Sequence, residues 1–257
     1  DQSHNGKYQI PTLDEVLDVR RAERVDVIRY ASDPPRTGKL PEAKVARIVA
    51  TNLMDALDIM THVEQDQVEL ELDSYEPLWL VIDAMGRLGD KRLVACYTGD
   101  PEAIGDLLGM GPWFEVRVFL TKKTEATIRA MGEPPTNLVL VQQNHDLVSD
   151  AQTSDIDTRA FFQTYPHLLP VENVPTCIAG RPVRPKPNML DAAMLGPDAR
   201  VDMVAYTKRY IADGFYTKAL RCKDCRETAS CRGVHVNWVR AHGFGALEPS
   251  PPDEHRA

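Results

Sequence analysis

The chain has 257 residues and a mass of 28.8 kDa, with 30 Lys and Arg against 38 Asp and Glu, a net charge of -8 and a pI near 5.4. This balance excludes a general binder of nucleic acid or anionic membranes, which needs a basic face, and 43% hydrophobic with 26% charged residues excludes a disordered or collagen-like chain. No window approaches the roughly 18 uninterrupted apolar residues of a membrane-spanning helix, so a soluble chain is expected.

Residues 1–24 read as a lead-in, in which Thr12 caps a short helix with Leu13, Val16 and Leu17 at helical spacing. Residues 25–30 are apolar and β-branched, a strand, and a turn-rich loop covers 31–39. From Pro41 the spacing of Val45, Val49, Leu53, Leu57 and Met60 predicts one long helix, widened by Ile48, Ala56 and Ile59. Strands at 67–72, 93–98, 114–121 and 138–142 then alternate with helices at 78–85, 101–108 and 125–131. A weak helix over 157–163 and an extended piece at 168–171 close the series. Six strands separated by helical crossovers predict a parallel α/β sheet, built either as an open doubly wound sheet or as a full or partial barrel. Periodicity does not choose between these, and both bind ligands at the carboxyl ends of their strands.

Near residue 172 the composition changes: six prolines fall between Pro166 and Pro187 and the helix signals weaken. The strand–helix unit is therefore expected over 25–171, a smaller cysteine-bearing sub-domain over 172–249 and a disordered tail over 250–257. Residues 181–187 (RPVRPKP) read as an extended, solvated strap.

Cys96 and Cys177 stand apart, whereas Cys222, Cys225 and Cys231 fall within ten residues. An odd, uneven set of five is unlike a secreted disulfide framework and predicts a reducing, cytoplasmic setting with the clustered thiols serving a metal. The C-x2-C-x5-C run supplies three thiolates, which suit zinc or an iron-sulfur cluster. For the fourth ligand there are two candidates, His235 just downstream and Cys177, 45 positions upstream. Lys218, Arg221, Lys223, Arg226 and Arg232 offset the negative charge that thiolates bring. Cys96, between Ala95 and Tyr97 in a strand, reads as an inert buried thiol.

The segment NVPTC ending at Cys177, followed by TKALRCKDCRETASCRGVHVNWVRAHGFGALEP, resembles the C-terminal auxiliary-cluster domain (SPASM or twitch type) of radical S-adenosylmethionine proteins. The resemblance implies that Cys177, Cys222, Cys225 and Cys231 hold one [4Fe-4S] cluster, with zinc as the alternative and His235 nearby but not a ligand. Gly233, Gly243 and Pro249 fit the trailing pattern. Over the N-terminal three-fifths it implies a partial (β/α)6 TIM-like barrel. Such proteins carry Gly-Gly-Glu-Pro after their second strand to receive the methionine moiety of S-adenosylmethionine. The corresponding run here is Asp73-Ser74-Tyr75-Glu76-Pro77-Leu78, in which Glu76 and Pro77 match and Ser74 and Tyr75 replace the glycines.

The loop over 31–39 (ASDPPRTGK) lacks the C-x3-C-x2-C run that holds the catalytic cluster in that family. Without those thiolates no iron is open to the cofactor, so the resemblance implies a degenerate radical protein that does not cleave S-adenosylmethionine by itself. The expected role is a non-catalytic, cluster-bearing partner of an active radical enzyme, or a binder of its peptide substrate, with neither nucleic acid nor membrane as a partner. Two other readings stand beside it. One is an enzyme using the barrel mouth for different chemistry, with Asp73, Glu76, Asn144, His145 and Asp146 as acid–base candidates, although a solvated loop position is expected for His145. The other is a zinc-stabilised scaffold.

Overall fold

The computed structural model describes residues 25–31, 40–72, 80, 83, 91–196 and 200–251. Among these, eight parallel strands form one curled half-barrel sheet. They are β1 (Val27–Tyr30), β2 (Val45–Ala50), β3 (Gln67–Leu72), β4 (Arg92–Thr98), β5 (Glu115–Phe119), β6 (Leu138–Val141), β7 (Val171–Glu172) and β8 (Met189–Asp191). Their order is β7-β6-β5-β4-β3-β2-β1-β8. Strands β2 to β7 therefore follow one another to one side of β1, as in a barrel, and a doubly wound sheet is excluded. Placing β8 beside β1 gives the cyclic order of an eight-stranded barrel, opened between β7 and β8.

Alternation along the strands sorts side chains onto two faces. The outer face carries Ile28, Tyr30, Ala46, Ile48, Val68, Leu70, Cys96, Val116, Val118, Leu138 and Leu140, all buried in the main core. Helices α1 (Leu53–His62), α2 (Pro101–Gly109) and α3 (Glu125–Ala130) follow β2, β4 and β5, and α4 (Val148–Ser154) and α5 (Thr158–Thr164) together follow β6. Ala56, Ile59 and Met60 of α1, Ile104 and Leu107 of α2, Ile128 of α3 and Phe161 of α5 complete that core. Side-chain caps fix where three of these helices start: Asn52 accepts from the amide of Asp55, Asp100 from Glu102 and Asp157 from Ala160. Among the described residues no helix is long and apolar enough to cross a membrane.

The long helix expected from Pro41 is corrected to a strand, β2, followed by α1. Residues four apart satisfy a strand's period of two as well as a helix's period of 3.6. In VARIVA the deciding signal is that Ala46, Ile48 and Ala50 are buried while Val45, Arg47 and Val49 are less so. This has a second consequence: QVELEL is the third strand rather than the second, so the run 73–78 follows the third strand. Glu76, Asp73 and Tyr75 themselves lie outside the described residues, as do residues 32–39, the helix expected around Thr12, most of the helix expected over 78–85 and the tail beyond 251.

Past residue 172 come α6 (Thr176–Ala179), β8, α7 (Met203–Arg209), a π-helical turn (Tyr210–Gly214), the antiparallel pair β9 (Tyr216–Thr217) and β10 (Val234–His235), and α8 (Val236–His242). Strand β8 lies beyond the boundary expected at 172 yet joins the main sheet. Residues 181–187 run along the opening between β7 and β8. The Arg184 amide donates to Val171 at 2.8 Å and the amide of Asp26, just before β1, donates to Asn188 at 2.9 Å. The segment is extended and partly solvated, as expected, with Pro182 and Pro185 exposed, but Arg184 and Lys186 also reach Glu115 and Asp213.

Candidate metal centre and half-barrel cavity

Strands β9 and β10 pair Thr217 with Val234 and Tyr216 with His235, clasping the loop that carries Cys222, Cys225 and Cys231. A 3-10 turn over Leu220–Asp224 presents Cys222, and the amide of Cys225 donates back to its carbonyl at 3.2 Å. Thr228 Oγ1 donates to the same carbonyl at 2.9 Å, and the Cys231 amide to Glu227 at 2.8 Å. Cys177 comes from α6, which starts after Pro175 and ends at Gly180 in the left-handed conformation. All four thiols line one pocket with Lys218, Thr228, Gly233, Leu247 and Pro249.

One residue of the pocket wall is set by close backbone approach. Gly233, at φ +85°, donates its amide to Cys231 Sγ at 3.2 Å. A Cβ there would stand 2.0 Å from the Thr217 carbonyl oxygen, so only glycine fits. Burial pushes the Cys177 thiol above its usual range; the Glu248 amide works against this, and the three neighbouring thiols add to it. Among the described residues no group of three or more His, Cys, Asp or Glu side chains is arranged to hold a metal ion. His235 lies apart from this pocket: its Nε2 meets the Ile211 carbonyl oxygen at 3.1 Å, its ring stands edge-on to Tyr216, and it is 3% exposed. Cys96 is buried in β4, its thiol pushed up to about 12 by burial.

The inner face of the half-barrel is charged. Across β8, β1, β2 and β3, Asp191, Arg29, Arg47 and Glu69 stand in one register row. Arg29 meets Asp191 at 2.7 Å and Arg47 meets Glu69 at 2.8 Å. Glu69 also takes Arg117 at 2.8 Å, and both arginines donate to the Tyr97 hydroxyl. Arg117 continues to Glu115 at 2.9 Å, and Glu115 to Arg184 at 2.7 Å. Above this network a cavity of about 440 Å³ opens, lined among others by Arg29, Arg47, Tyr97, Glu172 and Lys186 and by the loop after β6. It lies over the carboxyl ends of the strands, where such folds place their ligands.

Two polar clusters border the cavity. In one, Asp213 from the π-helical turn accepts from Asn144 at 2.8 Å and from Lys186 at 3.3 Å, and Tyr216 bonds Asn144 at 2.9 Å. Burial opposes the Asp213 charge, but Lys186 and the Asn144 amide outweigh it and bring the carboxyl down to about 2. In the other, Asp155 is buried and accepts from Gln142 at 2.8 Å, facing His145 Nε2 at 2.9 Å and His242 Nε2 at 3.0 Å. His145, expected on a solvated loop, is 7% exposed: Asp155 holds its ring, and Asn237 of α8 ties down its carbonyl at 2.8 Å. Asn144, His145 and Asp146 all line the cavity.

Sequence reasoning missed Arg29, Arg47, Glu69, Glu115 and Arg117, although each is the polar member of an alternating strand. For Lys186 and Asp213 no local signal existed, since they pair across 27 residues, and Asp155 joins His145, ten residues before it, to His242, 87 residues after it. Compared with known protein families, curated proteins and solved structures, the chain matches none of them.

Proposed function

We propose that this chain is an iron-sulfur protein of the radical S-adenosylmethionine-like kind, carrying one [4Fe-4S] cluster on Cys177, Cys222, Cys225 and Cys231. Its role is that of a non-catalytic partner for an active radical enzyme or its peptide substrate. The observation that carries the reading is the sharing of one pocket by four thiols drawn from α6 and from the loop between β9 and β10. The glycine amide on Cys231 and the basic Lys218 in the wall suit thiolate ligands. Likeness to radical proteins rests on the cysteine segment, since Glu76 follows the third strand and its surroundings are not described.

When bound, such a cluster supplies one-electron transfer and rigidity, and four thiolates leave it no open iron. The chain's own residues do the rest: α6 and the β9–β10 clasp position the thiols, and the cavity offers the binding surface.

Anaerobically purified protein is expected to contain about four iron and four sulfide per chain, with broad visible absorbance that bleaches on reduction. Cys177→Ala and Cys225→Ala are each expected to lose most of that iron. Stoichiometric zinc without sulfide would replace this reading with the scaffold. Formation of 5′-deoxyadenosine by the reduced protein alone, above a Cys222→Ala, Cys225→Ala variant, would overturn the non-catalytic role.

A further inference from the structure

Where β8 and β1 border the cavity, one carboxylate serves two guanidinium groups. Asp191, 2% exposed, meets Nη1 of Arg29 at 2.7 Å and Nε of Arg209 at 2.8 Å, and both nitrogens converge on the same oxygen, Oδ2. The other oxygen, Oδ1, already accepts from the amide of Ala193 at 2.9 Å. Of the two arginine contacts, that of Arg29 has the geometry of a hydrogen bond, whereas Nε of Arg209 is buried and bonds no acceptor among the described residues. Among those residues no other carboxylate meets either arginine, so this edge keeps an uncompensated positive charge and a buried donor without an acceptor. The neighbouring cations are better placed. Arg47 has Glu69 at 2.8 Å with Glu71 close by, and Lys186 has Asp213 at 3.3 Å.

From two guanidinium groups sharing one buried carboxylate on the cavity wall, we infer that the cavity binds a small molecule through a single carboxylate, docked on Arg29 and Arg209. Both arginines line the cavity, and its volume of about 440 Å³ suits a small molecule rather than a protein segment. A guanidinium presents its donors as a planar fork that matches the two oxygens of a carboxylate. One negative charge cancels the excess at this edge. A second is opposed by Glu71 and by Asp146 and Asp150, the latter two exposed on the same lining, which disfavours a dianion such as phosphate. Gln143 and Asn173 carry side-chain amides on that lining and suit a polar remainder of the ligand.

The inference is independent of the cysteine pocket, and its test reads no iron. The full-length protein is titrated calorimetrically with N-acetylglycinate, with N-acetylglycinamide, which has the same shape but no charge, and with inorganic phosphate. N-acetylglycinate is expected to bind, and the amide and phosphate to bind at least about tenfold more weakly. Asp191 keeps one guanidinium when the other is removed, so Arg29→Gln and Arg209→Gln should each fold, as a thermal melt checks. Each should weaken N-acetylglycinate about tenfold, roughly 1.4 kcal/mol, and leave the amide unchanged. The comparison of acid with amide on the unaltered protein decides the matter even where a variant folds poorly. Equal binding of acid and amide, no binding of N-acetylglycinate, tighter binding of phosphate, or unchanged N-acetylglycinate affinity in either folded variant would each overturn the assignment.

Discussion

A single missing side chain decides whether the cysteine loop can close. At Gly233 the backbone is left-handed and passes so near Thr217 that a methyl group would collide with its carbonyl oxygen. Gly233→Ala is expected to cost about 3 kcal/mol or more, from the strained φ plus the collision, and to reduce iron content with it, because Cys231 hangs from the same turn. Gly105 provides the contrast: in mid-α2 a Cβ would meet nothing within 4 Å, so Gly105→Ala is expected to add up to ~1 kcal/mol. Thermal melts of the two variants, moving in opposite directions, check both expectations. At this scale the sequence was most informative where chemistry is local. The C-x2-C-x5-C spacing shows in the residues alone, whereas what Cys177 faces depends on how α6 and the clasp meet. His145 is the opposite case. Its neighbours in sequence are polar and suggest a wet loop, but Asp155, ten residues on, holds its ring and Asn237 of α8 holds its carbonyl.

Among the elements, the strands divide by how much of their signal is internal. Strands β3 and β5 are legible because apolar residues recur at alternate positions, and β4 and β6 because they are short runs of consecutive apolar residues. Strand β2 was obscured by the coincidence of a four-residue spacing with α1 beyond it, and β8, three residues long, has no pattern to read. The alternating charges were visible, but their pairing was not, since it depends on register between strands 20 to 50 residues apart in sequence. That pairing makes Glu69 the most sensitive position on the inner face. Its carboxylate, 5% exposed, is shared by Arg47 and Arg117. Glu69→Ala is expected to destabilise the protein by about 3–5 kcal/mol by leaving two buried guanidinium groups short of a counter-charge. Glu69→Gln, which keeps the shape and some hydrogen bonding, should cost less; urea unfolding midpoints give the order.

For the molecule as a whole, acid is the expected weakness. Burial holds His235 below its usual 6.5, so the unfolded chain takes up a proton there that the folded chain resists. Stability from this source is complete above that value and declines as pH falls below it. Asp213, depressed from 3.8 to about 2, acts in the same direction at lower pH. Its contribution of roughly 1–2 kcal/mol, discounted because the side chain is a quarter exposed, is intact above 3.8 and lost as pH falls towards about 2. Urea midpoints should therefore fall in two stages on acidification, with His235→Gln flattening the upper stage and Asp213→Asn the lower. The opening between β7 and β8 acts at this same scale. A sheet bonded all the way round is a hoop, its girth fixed by the number of staves. Here one joint is left unzipped, and the segment lying along it contains Pro182, Pro185 and Pro187, none of which has an amide hydrogen to close a ladder. The Arg184 amide holds the segment to Val171 of β7 while Arg184 and Lys186 reach inward to Glu115 and Asp213, so the vessel can widen by releasing these few contacts without breaking a strand.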